Sequence, residues 1–465
     1  MRVYTYARYS TDRSTESVDR QRAATSRDDG MTRTFDVADV EVRARRRIAT
    51  RLLPLAFLLY IVAYIDATAI FFFLCSFSAS ADSQAASQKV SRSIADVQLG
   101  APIYDDSGGD SWDPTWSQDD RLYTAVNDGA GFGTVRRNIA FNQISGSDPL
   151  TLTGQLQNLM DDYGEMNAPV ASDGRNWKSG GTISIDGVLY MSVGMDRYVD
   201  PDYGGRQTRI NASIIKSSDH GLHWTRPMKE NLQRPMFPGM RFATPFFIHY
   251  GKEYAAATRD NADRYVYATS NNGFWDNGDN YILGRVLRSK IGALKAADWT
   301  FYQGGDGMLD SGWSGEMTKA VTLIEAPGQC GETGVTYLPA LKRYVMVAWY
   351  YPSGNGHAGK IETTEFAFYE SAKPWGPWNK IKTILIQPQG WYIPRVLAKF
   401  QSPAGRDLQA FIAVAGDWRN PTYYRYTMVP VKFLTAASLR VASPAPTPTN
   451  PKESFRRQRV AEVGW

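Results

Sequence analysis

The chain carries only two cysteines and four histidines in 465 residues. Cys75 and Cys330 are too few and too far apart for a disulfide framework or a multi-cysteine metal site. His220, His223, His249 and His357 show no metal-ligand spacing, and structural roles are expected for them. Local signatures of nucleotide and serine chemistry are missing too: there is no GxGxxG leading into a helix, no P-loop and no GxSxG. Neither a cofactor nor a bound metal is therefore expected. Long amphipathic periodicity is also scarce, and residues 150–162 are the single helical candidate in the main body of the chain.

A concentrated charge of one sign is absent from that main body as well. The net charge of +5 resides in the ends, because residues 1–51 hold twelve Arg against eight acids and residues 436–465 hold five bases against two acids. What lies between is mildly acidic, which removes the electrostatic reason to expect a nucleic-acid partner, since phosphate binding needs basic residues gathered on one face. What is abundant is turn formers and aromatics: 40 Gly, 24 Pro, 26 Tyr, 20 Phe and 13 Trp. Aromatics suit half-buried pleated surfaces and Gly and Pro supply tight turns, so the composition is that of an all-β protein with many short strands.

Four regions follow. Residues 1–51 form a basic leader expected to be disordered, ending in Arg43, Arg45, Arg46, Arg47 and Arg51. Residues 52–77 are a hydrophobic helix, either a transmembrane anchor or the core of an export signal. Asp66 near the middle weighs against a permanent span, and Ser78-Ala79-Ser80-Ala81 offers a cleavage site. Either way the Arg cluster stays inside and the rest goes out, so an extracellular or cell-surface location is expected, with a membrane contact through 52–77 if that segment is uncleaved. Residues 96–435 read as one β domain, and 436–465 as a Pro-rich, charged, disordered tail. The opening RVYTYARYSTD with ESVDRQ resembles the start of a serine recombinase, and VRARRRIATRLLPLAFLLYIVAYID resembles the first helix of a major-facilitator transporter. No recombinase core and no second membrane helix follow, so the fragments read as an upstream fusion or a misplaced gene start.

Within 96–435 a turn followed by a short strand with an aromatic residue recurs at Tyr123, Tyr190, Tyr254, Tyr344 and Phe411. Units near 65 residues divide the domain into about five, which predicts a five-bladed β-propeller, with six or seven blades as alternatives. Ser217-Ser218-Asp219-His220-Gly221-Leu222-His223-Trp224 fits the S-x-D-x-G-x-x-W pattern and resembles the Asp box of sialidase-type propellers. Its chemistry is structural: Ser and Asp bond turn backbone, Gly takes a positive φ and Trp packs under the hairpin, an arrangement whose loss in Trp224→Ala is expected to cost about 3–5 kcal/mol. The segments GGDSWDPTWSQDDRLYTAVNDGAGFG, NWKSGGTISIDGVLYMSV, GQCGETGVTYLPALKRYVM and YESAKPWGPW resemble a largely uncharacterised group of exported, glycosyl-hydrolase-like propellers near the five-bladed arabinanase and fructosidase type. That resemblance implies a carbohydrate ligand.

A propeller gathers its site at one end of the central channel, and a glycosidase needs two carboxyl groups there. Asp110, Asp113, Asp119, Asp120 and Asp128 crowd the first blade beside Trp112 and Trp116. Asp110 and Asp128 are the leading catalytic candidates. Asp260 and Glu332 join them because each just precedes a strong strand. Trp112, Trp116 and Trp177 are candidate sugar-stacking residues, with Lys178 as a polar partner. The expected function is an exported glycoside hydrolase acting on a poly- or oligosaccharide; a polysaccharide lyase and a non-catalytic lectin-like binder are the alternatives.

Overall fold

A computed structural model describes residues 93–442 apart from 227 and 355–362. The leader, the hydrophobic stretch 52–77, the two fragment resemblances, His357 and the chain beyond 442 lie outside the described residues. Among the described residues no helix is long and apolar enough to cross a membrane.

The strands form five separate antiparallel sheets, each a blade of a propeller. Blade 1 runs outward from Gly108–Asp110 and Thr115–Trp116 through Leu122–Gly131 and Arg137–Ser145 to Thr153–Asn158. Blade 2 is Asn176–Ile185, Val188–Asp200 and Arg206–Ser217. Blade 3 starts with the short Phe246–Phe247 and continues through Tyr265–Asn271, Asn280–Leu287 and Trp299–Tyr302. Blade 4 is Val335–Leu338, Arg343–Tyr350, Thr364–Ser371 and Asn379–Ile386. Blade 5 combines Tyr392–Val396, Asp407–Ala415 and Thr427–Thr435 with Ile94–Leu99 from the other end of the domain. That last pairing, Ile94 opposite Thr435 through Leu99 opposite Val431, closes the ring and removes an exposed sheet edge.

The five aromatic repeats fall one to a blade. Four lie in second strands, whereas Tyr254 sits in a turn before its blade's second strand. The helix expected at 150–162 is a correction: Thr153–Asn158 is the outer strand of blade 1 and only Asp161–Tyr163 winds into a short 3-10 turn. Gly154, packed against the Phe132 ring, suits that edge and disfavours a helix. The stretch assigned to the tail begins with a short helix, Ala436–Ala442.

At the propeller axis the innermost strands are joined by buried polar groups. Asp113 of blade 1 is ion-paired to Arg395 of blade 5, both about 1% exposed. Arg395 Nη1 donates to the carbonyls of Phe247 in blade 3, at 3.3 Å, and Val335 in blade 4, at 2.9 Å. Asp113 also accepts from the Thr182 amide of blade 2 at 2.7 Å, and His249 Nε2 lies 2.8 Å from the Thr182 carbonyl. Burial, reinforced by the Arg395 charge, pushes the His249 imidazole down to about 4, so it is neutral. All five blades thus meet at one ion pair. On the side of blade 3 away from that ion pair, Glu253 accepts from Ser117 Oγ at 3.0 Å, the Gln118 amide at 2.8 Å and the Gly187 amide at 2.9 Å, tying blade 3 to blades 1 and 2.

The Asp box forms as expected. Asp219 accepts from the His223 amide at 2.9 Å and Ser217 Oγ lies 2.8 Å from the Gly221 amide. Trp224, however, is only partly buried, its indole set edge-on to Phe141 of blade 1 at 4.9 Å.

Two stability outcomes follow from this packing. Arg395→Met strands Asp113 as an unpaired buried charge and should lower unfolding free energy by about 3–5 kcal/mol, with much of the loss recovered when Asp113 is also made apolar; urea titration of the two single variants and the double variant checks it, and strict additivity would contradict it. Trp224→Ala should cost about 1–3 kcal/mol, below the fully buried range, because the indole is only partly buried.

Candidate active site

In an antiparallel blade the inner strand starts, and the second-to-third-strand loop lies, at the same end. Asp110 is at the start of the blade 1 inner strand, and Asp128, Arg136, Tyr198, Trp275, Trp418 and Tyr424 sit at or near second-to-third-strand loops. They converge on a cavity of about 540 Å³. Ser111 and Asp128 both take positive φ, 61° and 52°, in a stretch where the pairing of Gly108–Asp110 with Leu122–Gly131 slips register. Glycine permits the crossing: a Cβ at Gly129 would meet the Gly108 carbonyl oxygen at 2.2 Å, and one at Gly109, φ 116°, would meet the Val126 side chain at 2.5 Å. The bulge brings Asp110 and Asp128 to the same cavity.

The two carboxyl groups sit in contrasting surroundings. Asp110 accepts from Tyr392 Oη at 3.0 Å, Tyr424 Oη at 3.3 Å and Ser111 Oγ at 3.0 Å. Burial first, and the charge of Asp128 second, push its pKa up to about 7. Asp128 is ion-paired to Lys178 Nζ at 3.0 Å and accepts from Tyr198 Oη at 3.0 Å on each oxygen. The Tyr424 hydroxyl also lies 3.3 Å from the Asp128 carbonyl oxygen, spanning the pair. Beneath them Arg209 is ion-paired to Asp196 and approaches Glu332 Oε2 to 3.1 Å, all three fully buried. Neither Glu332 oxygen has an aligned hydrogen-bond donor. Burial, which outweighs the Arg209 attraction, raises the Glu332 pKa well above the carboxylate range.

Asp110, Asp128, Glu332 and Lys178 are therefore placed at or directly beneath one cavity. Four other candidates are corrected. Asp260 precedes the second strand of blade 3, whose start lies at the end of the propeller away from the cavity; there it accepts from Tyr344 Oη at 2.7 Å and pairs with Arg259. Trp112 is buried against Tyr426 and Phe132, and Trp177, which alternates with Lys178 along its strand, is buried against Tyr163. Neither has a face to offer a ligand. Trp116 is half-buried but ends the inner strand, lining a separate cavity with Lys252 and Phe400. Asp113 is consumed by the axial ion pair, and at the far end Asp119 accepts from Tyr123 Oη and Asp120 from the Trp116 indole. Arg209, Asp196, Tyr198, Tyr392, Tyr424 and Trp418 went unrecognised in the sequence. The one local signal was charge inside apolar strands, as with Asp196 in YMSVGMD. No cluster of three or more metal-ligating side chains occurs among the described residues.

Because Asp110 holds its proton to about pH 7 when folded but only to the ordinary carboxylate range when unfolded, the folded state binds more protons between those values. Its contribution is complete below about pH 4 and is lost as pH rises through about 7. Relative to wild type, Asp110→Asn should therefore gain stability on going from pH 4.5 to pH 8, as roughly bracketed by those pKa values. Urea unfolding at the two pH values measures this, and a constant difference would refute the raised pKa.

Residues 109–430 match the model of a family described as a domain of unknown function, DUF4185. No curated protein matches the chain. Among solved structures, a Bacteroides ovatus protein assigned as a hydrolase is 13% identical with a TM-score of 0.45, over 75% of this chain and 90% of that one. A xylan β-1,4-xylosidase from Bacillus halodurans is 10% identical with a TM-score of 0.40, over 70% of this chain and 54% of that one. A thermostable family-43 glycoside hydrolase is 14% identical with a TM-score of 0.37, over 75% of this chain and 99% of that one. At such distances no residue role is carried over. The family match spans more than half of the chain and the whole cavity-bearing ring up to blade 5, and the protein belongs to the DUF4185 family.

Proposed function

We propose that the protein is a glycoside hydrolase acting on an extracellular poly- or oligosaccharide. The observation that carries this reading is the pair formed by Asp110 and Asp128, two carboxyl groups of one blade held at one cavity in opposite electrostatic surroundings. Pairs whose environments drive their protonation apart are how one site supplies both acid and base at neutral pH. Asp110, with a pKa near 7, gives its proton to the glycosidic oxygen as the bond to the anomeric carbon breaks. Asp128, oriented by Lys178 and Tyr198, activates water or attacks the anomeric carbon itself. Arg209, Asp196 and Glu332 form a buried polar floor under the pair.

A lyase is less well served by the tyrosines of this cavity. Elimination needs a Tyr or His base, yet burial and the neighbouring carboxylates raise the pKa of Tyr198, Tyr392 and Tyr424, so each is a poor proton acceptor. The extracellular location in this proposal rests on the order of the Arg cluster and the apolar stretch, and cell fractionation addresses it.

The test is a polysaccharide screen covering arabinan, xylan and levan, with products analysed for new reducing ends. Hydrolysis is expected on at least one substrate. Asp110→Asn and Asp128→Asn should each lose about 10² or more in kcat; Asp110→Asn should keep a melting temperature close to wild type, whereas Asp128→Asn leaves the buried Lys178 unpaired, should melt lower, and is assayed well below its melting temperature. Unsaturated products would establish elimination instead, binding without turnover would establish a lectin-like role, and full activity in both variants would remove the two aspartates from the chemistry.

A further inference from the structure

Twelve of the thirteen tryptophans lie between residues 112 and 418, and those near the cavity differ sharply in exposure. Trp112 and Trp177 are fully buried and Trp275 is 6% exposed, whereas Trp418, which lines the mouth, is 43% exposed. At the mouth of a cavity, an indole with this much of its surface open presents a face that a ligand can cover.

The segment that carries Trp418 is pinned. The Gly416 amide donates to the Tyr423 carbonyl at 2.9 Å, and a Cβ at Gly416 would meet the Gln389 carbonyl oxygen at 2.4 Å. Asp417, 6% exposed, donates its amide to the Gln389 carbonyl at 3.1 Å and accepts from the Arg419 amide at 3.1 Å. The Arg419 guanidinium lies 4.9 Å over the Trp418 ring. Six residues on, Tyr424 of the same segment reaches Asp110 at 3.3 Å. One rigid turn therefore holds an exposed aromatic ring at the mouth and a hydrogen-bond partner of the Asp110 carboxyl inside.

We propose that Trp418 is the sugar-stacking platform of the cavity mouth, receiving the apolar C–H face of the saccharide unit next to the one held at Asp110 and Asp128. This rests on the hydrolase reading and extends it to a multi-unit substrate recognised outside the reacting bond. A large flat ring carried on a turn that main-chain hydrogen bonds already hold needs little main-chain ordering when a ligand packs on it, a condition that favours affinity. Sequence inspection selected Trp112, Trp116 and Trp177 for this role, and the fold assigns it to a different tryptophan.

The experiment uses the full chain with Asp110→Asn to stop turnover, titrated by calorimetry and intrinsic fluorescence with arabino-, xylo- and fructo-tetraoses and the corresponding monosaccharides. At least one tetraose should bind with a fluorescence change. Adding Trp418→Ala should weaken that tetraose about tenfold or more, ~1.4 kcal/mol, and abolish most of the fluorescence change, while leaving the monosaccharide unaffected. Trp418→Phe should keep most of the affinity, and this variant also covers the case in which the alanine substitution disturbs the loop. In the active enzyme Trp418→Ala should raise KM much more than it lowers kcat. Unchanged tetraose affinity in Trp418→Ala, or equal losses for tetraose and monosaccharide, would overturn the platform and leave the hydrolase reading standing. Failure of every saccharide to bind the Asp110→Asn protein would overturn both.

Discussion

The ion pair between Arg395 and Asp113 is the constraint on which the rest of the ring depends. Five sheets that each bury their faces against neighbours still have to agree on where their inner strands stop, because those strands carry main-chain groups left over at the axis. Arg395 answers with a forked donor set that reaches a carboxylate and two carbonyls in different blades, and Asp113 adds the Thr182 amide of another. Gly334 leaves the space in which the guanidinium lies, since a Cβ there would fall 1.9 Å from Arg395 Nη2. A buried pair of this kind is weak evidence for stability but strong evidence for specificity of arrangement, because every misregistered alternative strands a charge.

The site is built on the same inner strand. Asp110 and Asp113 are three residues apart in blade 1, and the backbone between them passes through the positive φ of Ser111. One aspartate is directed to the cavity and the other to the axial tie, so the position of the reacting carboxyl is referenced to all five blades at once. The slip in pairing near Gly109 and Gly129 then sets Asp128 from the neighbouring strand against it. Strain of this sort persists where surrounding structure over-determines it, and functional sites are where it gathers.

Electrostatics within the cavity follow from burial more than from count. Lys178 takes Asp128, Arg209 takes Asp196 and also approaches Glu332, and Asp110 and Glu332 are the acids whose burial raises the pKa. Asp110 faces the cavity, where a proton can be delivered to a ligand. Glu332 lies beneath, beside Arg209.

Read alone, the sequence determined that the domain is all-β, that it repeats about five times and that its ends are of a different nature from its middle, because composition, turn chemistry and strand length are local properties. It also brought Asp110, Asp128, Glu332 and Lys178 forward, from the crowding of aspartates and tryptophans in the first blade, a carboxyl just before a strong strand and a lysine beside a tryptophan. The same reasoning failed for Asp260, where a strand was recognised but its rank within the blade was not, and a second strand begins at the opposite end. It failed for Trp112 and Trp177 because the face a side chain takes depends on which blade packs against it. Only the tertiary structure decided that Arg209, Asp196, Tyr198, Tyr392 and Tyr424 meet, for they come from two blades and lie up to about 230 positions apart in the chain. Closure of the ring brings them together, and no local pattern records which residues a ring of five will set side by side.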